Sequence, residues 1–224
     1  MPIASREYKD RLFSFMFGIE ENKDWTLSLY NAVNGTDYTD AGSLTIATVR
    51  QALYLGMHND VSFIVGDELS MYEQQSSYNP NMPLRMLQYA SAQYEKDISL
   101  RGRNKYGKTL IDLPVPRLVV FYNGIGDAPD EQVLRLSDSF APQRRELADI
   151  EVRVHMLNVN EGRNPGLMGR CAPLSEYAWM VARVRELEAR IGLEEAIDRV
   201  LDGLPGDFVT RPFLQAHKAE VRDM

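Results

Sequence analysis

Apolar residues return at helical spacing through residues 7–33, where Leu12, Phe15, Met16 and Ile19 are followed by Leu27, Leu29 and Tyr30. The pattern predicts helix there, ended by the polar stretch "NGTDYTDAGS" (34–43), in which Gly35 and Gly42 act as punctuation. "LTIATVRQALYLG" (44–56) is rich in β-branched residues and suits a strand, with a helix left open. Two short runs of strand composition come next, "VSFIV" (61–65) and "LSMYE" (69–73). The "GDE" between them supplies the glycine of a tight hairpin. "SSYNPN" breaks the chain again. Asn81 then fits the N-cap of a helix running to about Leu100, with Pro83 in its first turn, where the missing N–H does no harm.

"RLVVFYNG" (117–124) is almost continuously apolar and reads as a buried, parallel strand. "IEVRVHMLNVN" (150–160) alternates apolar and polar positions, as a strand with one wet face does. From Ser175 the helical period returns, breaks at Gly192 and resumes to about Leu201; the terminal "RPFLQAHKAEVRDM" is charged and short. No repeat or flexible linker divides the chain. The pattern predicts one α/β domain, a core over residues 1–160 carrying a helical C-terminal extension over 161–224.

Composition narrows the function classes. The 224 residues are 44% hydrophobic and 25% charged, ordinary for a globular chain. A net charge of −7 argues against a protein that coats nucleic acid by bulk positive charge, though a metal and a local basic strip could still attract it. The single cysteine, Cys171, can form no internal disulfide, gives no thiolate zinc site and fits a reducing cytoplasm. No run approaches the ~20 apolar residues of a membrane span. The apolar patch Leu12–Phe17 is flanked by charges and lacks a cleavage pattern, so a cytoplasmic protein is expected.

The hairpin is where chemistry enters. If its turn is Gly66-Asp67, Val65 faces Glu68, and counting outward sets Asp60 opposite Glu73; a three-residue loop would displace them by one position. Cross-strand partners have β-carbons about 4.5–5.5 Å apart, and like charges there are destabilising. A raised pKa, open solvent or a cation would relieve the repulsion. Two carboxylates with an amide or carbonyl oxygen, as Gln75 beside Glu73 could offer, make a hard-ligand set suited to Mg²⁺ or Mn²⁺. Two acids merely solvated at a sheet rim are the plain alternative.

The stretch "NDVSFIVGDELSMYEQQSSYNPNMPLRMLQYASAQYEK", followed by "LPVPRLVVFYNG", resembles the Rpn family of recombination-promoting nucleases and transposases, a branch of the PD-(D/E)XK nucleases. "KDRLFSFMFG", "LYNAVNGTDY", "APLSEYAWMVARVRE", "GLEEAIDRVLD" and "FLQAHKAEVRDM" resemble further segments of that family in order. The resemblance implies a restriction-endonuclease-like α/β core, a mixed central sheet flanked by helices, with a helical C-terminal tail. It implies a metal-dependent DNA endonuclease with Asp60, Glu73 and Gln75 as catalytic residues. Asp60, Glu73 and the backbone carbonyl near Gln74 would hold Mg²⁺ or Mn²⁺. DNA is the implied partner, with no membrane, and a homodimer is left open. Gln75 stands where the wider superfamily has Lys, and an amide brings neither the positive charge nor the proton transfer of an amine. A nuclease fold with weak or no activity, serving as a binding module for nucleic acid or protein, is therefore the second expectation.

The superfamily often adds an acid from its first helix. Glu7, Asp10 and Glu20 are the candidates, with Asp10 preferred for its place in "YKDRLF". "RGRNKYGK" supplies Arg101, Arg103, Lys105 and Lys108 without an acid; with Arg85 and Lys96 it makes a candidate DNA-facing strip, or else a solvated loop. His58 reads as a strand-end histidine, Tyr78 as lining the site or covering the core, and Trp179-Met180 as packing. "GIG" (124–126) lacks the third glycine of a phosphate loop.

Overall fold

The hairpin forms in the expected register. Gly66 takes the left-handed conformation (φ 61°) in a two-residue turn, and Val65 faces Glu68. The structure is a computed structural model and describes residues 3–47 and 60–224, with side chains from Tyr8 onward in the first segment.

Among the described residues six strands make one mixed sheet: β1 (Leu44–Ile46), β2 (Val61–Val65), β3 (Glu68–Gln75), β4 (Val115–Tyr122), β5 (Glu131–Arg135) and β6 (Arg153–Asn158). Their order is β1-β2-β3-β4-β6-β5. The centre, β3-β4-β6, is parallel; β1, β2 and β5 attach antiparallel at the two sides. Parallel neighbours need a crossover, and α3 (Met82–Leu100) provides it between β3 and β4. β5 carries little strand signal in the sequence, because "EQVLR" has charges at both ends and earns its place by pairing with β6.

The helix expected over 7–33 is two helices, α1 (Ile3–Phe17) and α2 (Lys23–Asn34). Gly18 explains the break: a β-carbon there would stand 2.6 Å from the Ser14 carbonyl oxygen. The open carbonyls at the end of α1 are satisfied from beyond it, Phe17 O by the Thr26 hydroxyl (2.7 Å) and Phe15 O by the Asn22 amide (3.2 Å). Of the stretch 44–56, β1 is short, and residues 48–56 lie outside the described residues, as does His58.

Beyond the sheet come α4 (Pro165–Arg170), α5 (Ala172–Ile191), α6 (Leu193–Asp202), α7 (Arg211–Ala216) and α8 (Lys218–Arg222). One sheet face packs against α1, α2 and these C-terminal helices in one apolar cluster. Aromatic rings run through it: Phe63 meets Tyr72, Tyr72 meets Phe121, Phe121 meets Phe13, and Phe13 meets Tyr177 of α5, all at 5.1–5.6 Å. The opposite face, with Leu69, Met71, Val120 and Met156, packs against Met82, Met86 and Tyr89 of α3. As expected, Met180 is buried and Trp179 packs edge-on against Phe208. Among the described residues no helix is long and apolar enough to cross a membrane.

Candidate metal and phosphoryl site

Strand alternation puts Glu73 and Gln75 on the α3 side of β3, and Gln74 on the α1 side. Both acids sit where the parallel strands end at their carboxyl side, the rim at which open α/β sheets place ligands. Asp60 immediately precedes β2, one ladder step beyond the Val61–Tyr72 pair, and so falls opposite Glu73. Its Oδ2 accepts the Gln74 backbone N–H. A strand residue aims its N–H and C=O at the same neighbour, so the Gln74 carbonyl is directed to the Asp60 side as well.

The environment resists charge on both acids. Glu73 is 3% exposed, and burial pushes its carboxyl up to about 7, against the pull of the Arg85 guanidinium and with a further push from Asp10. Asp60 is raised well above the usual carboxylate range by burial, then by the charges of Glu73 and Asp10; the Gln74 N–H and Arg85 restrain the rise. Asp10 of α1 is thus the first-helix acid that reaches the pair. Glu20 lies beyond the end of α1 and pairs with Lys23 at 2.6 Å. The side chain of Glu7 lies outside the described residues.

A cation already touches the site, and it is Arg85. One turn into α3, its Nη2 pairs with Glu73 Oε1, while Nε (3.2 Å) and Nη2 (2.8 Å) both donate to the Tyr89 hydroxyl. The sequence suggested Arg85 for DNA; the fold turns it inward, because α3 lies across the face of β3 that carries Glu73. Glu73 Oε2 remains buried with no hydrogen-bond partner, and Gln75 Nε2 makes only a 3.3 Å contact to Oε1. Among the described residues no three His, Cys, Asp or Glu side chains are arranged as a ready metal cage. The oxygens that fit a hard divalent cation are Glu73 Oε2 and the Asp60 carboxylate, with the Gln74 carbonyl beside them.

The rest of the basic strip is interwoven with acids of α3. Arg101 pairs with Asp97 (2.9 Å), Lys105 with Glu95, and Lys96 reaches the Ala47 carbonyl (3.4 Å). Arg103 and Lys108 are exposed. The pairing arises because Glu95 and Asp97 sit within two turns of the loop, a relation hidden when the loop is read alone. Tyr78 is half exposed and covers no core.

Tyr177 and Arg185 escaped the sequence, as did the burial of the Gln74 side chain. Tyr177 of α5 is buried, its hydroxyl donating to the Lys9 carbonyl (3.3 Å), and its pKa is raised by burial and then by Asp10 and Asp60. Arg185, two turns on, donates to the Asn123 carbonyl (2.8 Å) and side-chain oxygen (2.7 Å), while Asn123 N–H donates to the Gln75 carbonyl (2.9 Å). The Gln74 side chain is buried with neither amide atom hydrogen-bonded. Tyr177 lies 168 positions from Lys9 and Arg185 lies 62 from Asn123, so no local spacing could betray them. Gln74 sits inside the motif, and its period-two position was the available signal. In comparisons with known proteins, the chain matches no family model, no curated protein and no solved structure.

Proposed function

We propose that the chain is a divalent-metal-dependent phosphodiesterase acting on DNA, of the Rpn and PD-(D/E)XK kind that its sequence resembles. The observation that carries this reading is the meeting of Asp60 and Glu73 at the rim, with Glu73 Oε2 buried and unpartnered. The order α1, α2, β1-β2-β3, α3, β4 supports it, since apart from the added α2 it follows the helix, three strands, helix, strand of that core. Asp60, Glu73 and the Gln74 carbonyl would hold Mg²⁺ or Mn²⁺, which when bound polarises a phosphodiester and makes its water more acidic. Arg85 and Tyr89 fix the Glu73 carboxylate in one orientation. Gln75 is placed beside Glu73 to orient a water or a phosphate oxygen.

The test is purified protein with plasmid DNA and Mg²⁺ or Mn²⁺, alongside Asp60→Ala. Cleavage by the wild type and none by the variant is expected; cleavage that persists in the variant removes the assignment. One observation favours a second reading, a binding module without catalysis: Arg85 already neutralises Glu73, and Gln75 brings no charge. Absence of cleavage with either metal selects that reading.

A further inference from the structure

The sheet face opposite Glu73 is not covered throughout. Towards the amino ends of β4 and β6 it lies open, and three arginines stand there in one row. Arg135 on β5 is the direct partner of Arg153 on β6. On the other side of β6, Val119 of β4 pairs with His155, so two residues earlier on both strands Arg117 lies beside Arg153. All three are exposed, as are His155 and Val133 in the adjoining row. Among the described residues none of the three arginine side chains has a hydrogen bond or an ion pair.

Like charges on directly facing strand positions oppose folding, so such a row is not explained by stability. The bordering acids relieve it only in part, Glu151 feeling Arg135 and Glu131 acting on His155 without an ion pair to any of the three arginines. Glu151 is occupied by the Ser137 hydroxyl (2.6 Å) and N–H (3.2 Å) and the Val152 N–H (3.0 Å), and Glu68 by the Tyr30 hydroxyl (3.1 Å). Glu131 lies at the far end of β5, paired with Leu157. His155 is pushed below its usual pKa by partial burial and then by Arg117 and Arg153, which outweigh the opposite pull of Glu131. A cleft of about 690 Å³ borders the row, lined by Arg117, Arg153 and His155, with Glu131 and Glu151 at its edge.

We propose that this row binds the phosphate backbone of a nucleic-acid strand. Guanidinium forks match phosphate oxygens in pairs. Two inter-strand spacings make the row about 10 Å long. Such a row suits several phosphates in line better than one isolated phosphate group. Naming nucleic acid as the source of the phosphates rests on the proposed function; the anion-binding row does not. In a chain of net charge −7 this row provides the local attraction that overall charge denies.

The experiment is fluorescence polarisation with a short labelled single-stranded DNA, in EDTA so that cleavage plays no part, over a series of salt concentrations. Combining Arg117→Gln, Arg135→Gln and Arg153→Gln is expected to weaken binding at least about tenfold and to flatten the slope of log affinity against log salt by about 2; Arg135→Gln alone flattens it by about 0.7. The thermal midpoint is expected to hold or rise, since the substitutions remove repulsion. Unchanged affinity and slope in the triple variant overturn the proposal. So does a triple variant that loses self-association while its DNA binding is intact. Failure of Asp60→Ala to affect cleavage would strike only the acid site.

Discussion

Arg85 and Glu73, twelve positions apart, form an ion pair in which the carboxylate is almost wholly buried and the guanidinium about one-third exposed. The pair lets Asp60 and Glu73 lie side by side without a bound ion, and it leaves one Glu73 oxygen unused. Breaking a buried pair by removing one partner is strongly destabilising, though the exposure of Arg85 softens the loss. Arg85→Gln is expected to lower unfolding free energy by about 1–3 kcal/mol, measured by urea denaturation at neutral pH. A change within error would mean that solvent, not Arg85, carries the Glu73 charge.

The acid pair sets a pH dependence. Glu73 titrates near 7 in the folded chain and near 4.5 in the unfolded one, and Asp60 is shifted in the same direction. Between those values the folded state holds more protons on Glu73, so Glu73 lowers stability as pH rises from about 4.5 to about 7, and Asp60 acts in the same direction. In EDTA the urea midpoint is expected to fall over this window, and Glu73→Gln is expected to flatten the fall. Parallel profiles for wild type and variant would refute the raised pKa.

A divalent cation should reverse that loss. At ten to a hundred times its dissociation constant, Mg²⁺ is expected to add about 1.4–2.7 kcal/mol at pH 8. Asp60→Asn should abolish the gain. An equal response from the variant would assign the ion to another part of the surface.

Away from the rim, Glu176 of α5 is 7% exposed and accepts the Val209 N–H (2.8 Å), the Thr210 N–H (2.9 Å) and the Thr210 hydroxyl. It ties the start of α7 to α5 through charge-assisted hydrogen bonds. Glu176→Gln is expected to cost about 1.5–3 kcal/mol and to speed amide exchange at Val209 and Thr210. Unaltered exchange there would show the tie to be redundant.

What could be read in advance was local. Gly66-Asp67 gave the hairpin register, and through it the opposition of Asp60 and Glu73, because a two-residue turn leaves one pairing. The α3 start at Asn81-Met82-Pro83 and the parallel β4 were legible for the same reason. The break at Gly18 was not: the helical period continues across it, and only the Ser14 carbonyl in three dimensions makes glycine necessary. Nor was the inward turn of Arg85, which depends on where α3 crosses β3. Asp10 was chosen among three acids by resemblance; its charge acts on both Asp60 and Glu73.

The Arg185 grip on Asn123, and through it on Gln75, has a consequence in time. Synthesis runs from the amino end, so β3 and its acids emerge well before α5 can supply that arginine or Tyr177. A growing chain halted before α5 would carry both carboxylates yet lack the strap that holds their ledge in place. The link from α5 through Asn123 to the end of β3 is therefore made only once the C-terminal helices have left the ribosome.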